Sequence, residues 1–493
     1  MNLLLATLAA PLATAALGAL PGRRRPKEAT LVAGLAVTLG LAAATAARPL
    51  HGETPSALGG ALRVDGLSAL VLVLTAFVGL LAGLYAVGYL ERNERSGFVP
   101  PRKRTELVAL VPAYIAAMLL VSVSNNLGVL WIAVEATTLA SVFLVAFSNR
   151  DTSLEAAWKF LVLGSVGLAF ALLGTVLLFA SARGALGEQM SALDWTRLVA
   201  QAGQLHPYTV TLAVVFALIG YGTKAGLAPM HTWKPDAYRE APSPAGVLMA
   251  VGMVNCSLYA LLRIHLVSQA VLGPTFSGRL LLGLGLLSVL VATPFVLIQW
   301  NLKRLLAYSS IEHAGIMAVG FGLGGRAAVF GALLHMTYHS LAKPVAFFSA
   351  GTLAQLHRSS DFDTIGKGSL ARTPIATGLL LLATLMVTGS PPFGLFFSEM
   401  TILQAGFLGP HGLLVAVFLA GLVVLFCGFV YQVGRLALGP DGSAGRSVLP
   451  ERLDLALGTT LLAAAVAAVS AFYLPEPLMA LIQAAVRVVE PGA

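Results

Sequence analysis

The sequence predicts an all-α polytopic membrane protein with about 14 transmembrane helices, two of them broken and related by two inverted five-helix repeats. Three observations carry this. Of 493 residues, 57% are hydrophobic and only 11% charged, with a mean hydropathy of +0.84, where a soluble domain carries roughly a quarter charged residues. Apolar runs long enough to cross a ~30 Å hydrocarbon core, about 20 residues each, recur along the chain, so the spans are helices rather than barrel strands. And two runs are interrupted by proline beside an ionisable residue, in "YGTKAGLAPMHTWKPDAYREAPSPAG" and "VTGSPPFGLFFSEM".

In chain order the apolar runs fall near 2–20, 29–47, 66–89, 107–124, 127–148, 157–180, 209–228, 245–267, 280–299, 306–323, 327–350, 373–405 (interrupted), 411–434 and 453–474. The first is not read as a signal peptide, because its positive charges (Arg23, Arg24, Arg25, Lys27) follow the apolar stretch instead of preceding it. With the N-terminus placed outside, 20 basic loop residues face the cytoplasm, from Arg23 through Lys234 and Arg239 to Arg446 and Arg452. Seven face the other way: Arg48, Arg63, Arg183, Arg197, Arg279, Arg326 and Arg487. This bias puts both termini outside a prokaryotic-type inner membrane. It also accounts for most of the +9 formal charge without a nucleic-acid partner.

The breaks have a physical meaning. Proline inside a helix removes a hydrogen bond and clashes with the preceding turn, and in lipid the freed carbonyls need water or protein partners. Broken spans therefore line polar cavities in transporters. The seventh and twelfth spans carry the breaks, five helices apart, so a second copy of a five-helix repeat enters the membrane inverted. This organises the chain as 1–104 (helices one to three), 105–267 (helices four to eight), 268–436 (helices nine to thirteen) and 437–493 (the last helix and a short amphipathic tail, 476–490).

Lys159, Lys224, Arg263 and Lys343 lie inside or at the ends of spans, as do Glu135 and Glu399. Four deep charges (Glu135, Lys224, Lys343, Glu399) would together cost about 10 kcal/mol unpaired, comparable to the net stability of a whole protein. One reading is a structural Glu135–Lys224 ion pair. The other is a set of groups that exchange protons, since burial disfavours the charged form of acid and base alike. His335, His339 and Lys343 follow one another at four-residue intervals, on one helix face. That face can be a hydrated proton relay, a set of satisfied core histidines, or half of a metal site. No third ligand is evident, and Lys343 opposes a cation. His313 is a weaker member of the set, and His231, near the first break, reads as either relay or loop.

Cys256 and Cys427 lie in apolar runs. No CxxC, haem or iron–sulfur spacing occurs, and neither GxGxxG before a helix nor GxxxxGK[ST] is found. The chain is expected to hold no cofactor and no metal, and to draw energy from an ion gradient or a partner.

The motifs "WIAVEATTL", "KAGLAPMHTWKPDAYREAPSPAG", "LKRLLAYSSIEHAG", "HMTYHSLAKPVAFFSAG" and "PPFGLFFSE" resemble the antiporter-like membrane subunits of the complex I superfamily over roughly residues 105 to 435. These are the L, M and N subunits of NADH:quinone oxidoreductase, the large subunits of Mrp sodium/proton antiporters, and their hydrogenase relatives. The wording is closest to the F component of group four, membrane-bound hydrogenase-type complexes. The resemblance implies that Glu135 and Lys224 form the ion pair of helices five and seven, that Lys343 is the helix-eleven lysine, and that Glu399 is the terminal acid of broken helix twelve. It places His313, His335 and His339 in the conducting helices. Where many relatives have a helix-eight lysine this chain has Asn255, so the middle of the relay would run through water or a histidine. The short tail in place of a long lateral helix suits an M- or F-type member.

The function implied is proton translocation by a non-redox subunit of an oxidoreductase complex. Its partners would be homologous membrane subunits, a hydrophilic redox arm and the bilayer. A cation/proton (Na⁺/H⁺) antiporter subunit of an Mrp-type complex, without electron transfer, shares every residue named. Lysine and histidine lines suit protons, whereas sodium would want converging carboxylates and carbonyls.

Overall fold

The computed structural model describes residues 2–20, 22–95, 102–187, 189–440 and 448–490. Arg446 and the side chains of Arg95 and Arg102, counted among the cytoplasmic charges, lie outside the described residues. The chain opens with α1 (Leu3–Ala19), α2 (Arg24–Ala47), a two-residue hairpin of β1 (Ser56–Ala57) and β2 (Leu62–Arg63), and α3 (Gly66–Arg95). Then come α4 (Arg102–Val123), α5 (Leu127–Val145), α6 (Asp151–Leu186), the short α7 (Trp195–Ala200), α8 (Pro207–Ala225) and α9 (Lys234–Glu240). A further span joins α10 (Ser243–Val247), a π-helical turn over Leu248–Met253 and α11 (Val254–Leu272). The second half holds α12 (Thr275–Ile298), α13 (Leu302–Leu323), α14 (Gly325–Leu356), the single turns α15 (Phe362–Ile365) and α16 (Ser369–Arg372), α17 (Pro374–Val387), α18 (Gly394–Leu408), α19 (Gly412–Leu438), α20 (Leu455–Phe472) and α21 (Glu476–Val489).

Among the described residues, ten helices are long and apolar enough to cross a membrane by length and composition. Three shorter apolar helices, α1, α17 and α18, fall on other expected runs. The helices α13 and α14 coincide with the runs at 306–323 and 327–350. Both are richer in polar residues because both lie inside the protein: α13 is buried from Leu305 to Phe321, and α14 almost throughout from Ala328. The most apolar stretch of the span from Ser243 to Leu272 is likewise wholly buried. Such interior helices can carry histidine and lysine without setting them in lipid. The large apolar side chains of α5, α6 and α19, such as Phe143, Trp158 and Tyr431, face outward instead.

Two details show how local chemistry fixes the frame. Asn126 caps α5, its side-chain oxygen accepting from the Gly128 and Val129 amides at 3.0 and 3.3 Å; its amide donates to Asp194 at 2.9 Å. Asn301 caps α13 in the same manner, accepting from Lys303 and Arg304 and donating to Asp361 at 2.6 Å. These caps satisfy amides that a helix start leaves free. At the α12–α13 contact, a methyl on Gly285 would lie 2.7 Å from the Gly315 carbonyl oxygen, so the glycines let the backbones touch.

Arg263 is buried and donates to Asp65 at 2.7 Å and to Ser68 at 3.1 Å, with its guanidinium against Trp195 and Tyr259. This pair ties α11 to the start of α3 and takes Arg263 out of any relay. Removing one partner of a buried pair costs roughly 3–5 kcal/mol. Arg263→Ala is therefore expected to lower the thermal midpoint of the purified protein, and Arg263→Met with Asp65→Asn to restore most of it.

Candidate functional site

Glu135 and Thr138 share one face of α5, three residues apart. The last turn of α8 brings Lys224 to them: its Nζ donates to Thr138 Oγ1 at 2.8 Å, and that hydroxyl lies 3.4 Å from Glu135 Oε2. Lys224 also lies 4.6 Å over the Phe160 ring. The carboxylate and ammonium thus communicate through a hydroxyl, and Glu135 is only half-buried.

The break after α8 accounts for its own freed carbonyls. Gly226, at φ +71°, ends the helix; its amide donates to Thr223 O and that of Leu227 to Gly222 O. The Trp233 indole donates to Thr223 O at 2.9 Å, and Lys234 Nζ donates to Ala225 O. From the second half, Ser288 Oγ accepts from the Ala228 amide at 2.8 Å. Lys234, which reads from sequence as a cytoplasmic loop residue, is in fact wholly buried at the first position of α9. The loop reading fails because the polar heptad KPDAYRE is the second half of the broken span. Lys159, by contrast, is half-exposed in the third turn of α6, held by Glu155 at 2.6 Å.

In the second half the pattern recurs. Lys343 of α14 donates to Ser309 Oγ of α13 at 2.7 Å, and Glu312 stands three residues along α13, buried, with Oε2 lacking any protein hydrogen-bond partner. A lysine, a hydroxyl and a glutamate three positions from that hydroxyl therefore occur twice. Glu312 was not singled out from sequence; its signal was an acid embedded in the apolar run "AYSSIEHAGIMAVG".

Histidines lead onward. His313 Nδ1 and His335 Nε2 are 2.9 Å apart, and His335 Nδ1 is 3.0 Å from Ser398 Oγ, next to Glu399 on α18. The His339 ring lies 4.9 Å from that of His313, and among the described residues neither of its nitrogens has a hydrogen-bond partner. His313, His335 and Glu399 offer ligand atoms within 4.8 Å of one another. Two imidazoles and a carboxylate are a zinc-type donor set, but the two imidazoles are already hydrogen-bonded to each other, which suits proton exchange. Asn255 donates to Ser340 at 2.9 Å, with its Oδ1 unpartnered. His231 is buried in the first break with Nδ1 unpartnered. The structure thus brings together His313, His335, His339, Lys343 and Glu399, and separately Glu135 with Lys224. Glu312→Gln and Glu135→Gln, which keep the shape and remove the charge, are both expected to slow proton flux; equal flux in Glu312→Gln and wild type would confine Glu312 to packing.

Comparison with known proteins bears on the family and the fold. The family described as NADH:quinone oxidoreductase/Mrp antiporter, TM, matches residues 124–424, and that of the NADH-ubiquinone oxidoreductase (complex I) chain 5 N-terminus matches 57–98. A hydrogenase-4 component F homolog of Methylacidiphilum infernorum is 36% identical over 77% of this chain and 80% of its own length. Among solved structures, a chain of the membrane-bound sulfane sulfur reductase, an archaeal respiratory membrane complex, superposes with a TM-score of 0.86 at 24% identity, covering 99% of this chain and 98% of its own. A chain of the Mrp complex from Dietzia sp. DQ12-45-1b gives 0.84 at 18% identity, covering 100% and 98%. The chain is an antiporter-like, multi-pass membrane protein that belongs to the NADH:quinone oxidoreductase/Mrp antiporter family.

Proposed function

We propose that this chain is a proton-translocating, non-redox membrane subunit of a redox-driven complex of the complex I or membrane-bound hydrogenase type. The observation that carries the reading is the repeated lysine–hydroxyl–glutamate unit, whose second copy lies beside a histidine line that reaches Ser398 and Glu399. The matching Asn126 and Asn301 caps, on α5 and α13, support the division into repeats at 105–267 and 268–436. The loop charge bias supports an inner membrane with both termini outside.

The mechanism is electrostatic. Glu135 lies on α5 between Ile132 and Leu139, which are exposed, so a neighbouring subunit packed on that face acts on it directly. A charge change there alters how firmly Glu135 and Thr138 hold the Lys224 ammonium. A proton displaced from Lys224 then passes along the interior to Lys343, the histidines and Glu399, and leaves to the outside. Glu399 is also half-buried, flanked by exposed Phe397 and Met400. The relay thus has a carboxylate near an outer face at each end. Work comes from partners; the residues here move protons and hold no cofactor.

The likeness to the Mrp structure favours a second reading, a cation/proton antiporter subunit without electron transfer. Purifying the tagged chain from its native membrane in mild detergent, with mass spectrometry of the recovered subunits, separates the two. Partners bearing iron–sulfur, flavin or nickel–iron cysteine motifs are expected. Recovery of small hydrophobic partners alone would replace the redox reading with the antiporter one.

A further inference from the structure

The interior path has a gap. Lys224 ends the first unit, and Lys343 with His339 begins the second. Asn255 of α11, whose amide donates to Ser340 of α14, cannot exchange a proton. Lys234 stands in this region. It is wholly buried in the first break, its side chain lying over Gly226, and its charge acts on Lys343, His339 and His231. Its ammonium has three donors and, among the described residues, one protein acceptor, the carbonyl of Ala225, the residue after Lys224.

The two breaks treat such a residue alike. Gly226, at φ +71°, closes the first half of one broken span, and Gly389, at φ +63°, follows the first half of the other. A methyl on Gly226 would overlap the Lys234 side chain, and one on Gly389 would overlap the Glu399 carboxylate. In each break, then, an ionisable side chain from the second half-helix folds back over the left-handed glycine. Glu399 is the end of the relay in its break; Lys234 occupies the corresponding place in the other.

We propose that Lys234 is the proton carrier between the two halves, taking the proton released by Lys224 and passing it toward His339 and Lys343. The step is a transfer of one proton between nitrogen bases, so each ammonium that gives up a proton becomes an amine and nothing is oxidised. The bland alternative is a cation that only terminates α8, as lysines near helix C-termini do. Such a role needs the charge and the donor but no release of the proton.

The inference rests on the proton-translocation reading above, and the test keeps the two apart. The intact complex carrying tagged variants is reconstituted in liposomes with an internal pH dye, and a potassium/valinomycin diffusion potential drives proton flux. Subunit composition is checked for each preparation. Lys234→Met and Lys234→Arg are both expected to lower flux at least about 10²-fold, the usual worth of a positioned proton-transfer group. Arginine keeps the charge and the bond to Ala225 O but does not deprotonate. Adding Asn255→Lys to Lys234→Met is expected to recover flux, because it restores a titratable amine beside Ser340, the residue after His339. Wild-type flux in Lys234→Met or Lys234→Arg, or a dead Lys234→Met/Asn255→Lys double variant, would overturn the proposal. If Lys234→Met fails to assemble, Lys234→Arg decides. Normal flux in Lys224→Met would sink the underlying relay itself, whatever Lys234 does.

Discussion

Lys224→Met is expected to stop proton translocation, with a loss of at least about 10²-fold, while the complex is recovered with all its subunits. Methionine fills nearly the same volume and remains against Phe160, so packing at the end of α8 is largely kept. What disappears is the donor to Thr138 and the only group of the first unit that can carry a proton inward. Thr138→Val probes the bridge separately. It keeps the shape of α5 and removes the hydroxyl between Lys224 and Glu135, a charge-assisted bond worth roughly 1.5–3 kcal/mol. Flux should fall by an intermediate factor, about 10- to 100-fold, if the glutamate acts through that hydroxyl. Were Lys224→Met to lose subunits while Thr138→Val pumps normally, the unit would be a structural pair holding α5 to α8.

Much of this site was legible in the sequence because lipid makes charge conspicuous. Glu135, Lys224, Lys343 and Glu399 stand out from long apolar surroundings, and the prolines mark where helices end inside the membrane. Two residues were hidden for opposite reasons. Lys234 sits among Pro235, Asp236, Arg239 and Glu240 and so reads as a solvated turn; only the fold shows that α9 continues the broken span. Glu312 follows Tyr308, Ser309 and Ser310, polar enough to blur the edge of a run, and its meaning depends on Lys343 arriving from α14 at Ser309. The hydroxyl bridges were equally unreadable, since threonine and serine are common in spans and bond most often to the carbonyl four residues back. Thr223 and Ser340 do this too. The inverted repeat could be argued from the spacing of the breaks, but its most specific marks, the Asn126–Asp194 and Asn301–Asp361 pairs, join segments 68 and 60 residues apart.

Glu399→Gln should be as damaging as Lys224→Met, for the opposite reason: it closes the exit. The path toward it is built of groups that can pass a proton without moving far, from His313 to His335 at 2.9 Å and from His335 to Ser398 at 3.0 Å. Each hand-over needs an acceptor beyond it, and glutamine cannot accept and later release a proton at any physiological pH. The substitution keeps the size of the side chain that folds over Gly389, so the break and the start of α18 should survive. Flux in liposomes is expected to drop at least about 10²-fold, and Glu399→Asp to retain part of it. A second outcome is informative because of geometry: His335→Gln interrupts the same line one step earlier. If protons must traverse both groups in series, the Glu399→Gln/His335→Gln double variant should be no slower than the worse single one, since a path already blocked gains nothing from a second block. Small losses in both single variants with a large loss only in the double would instead mean two parallel exits, one through the histidines and one through Glu399. The 2.9 and 3.0 Å contacts, with Ser398 adjacent to Glu399 in the chain, argue for the series arrangement.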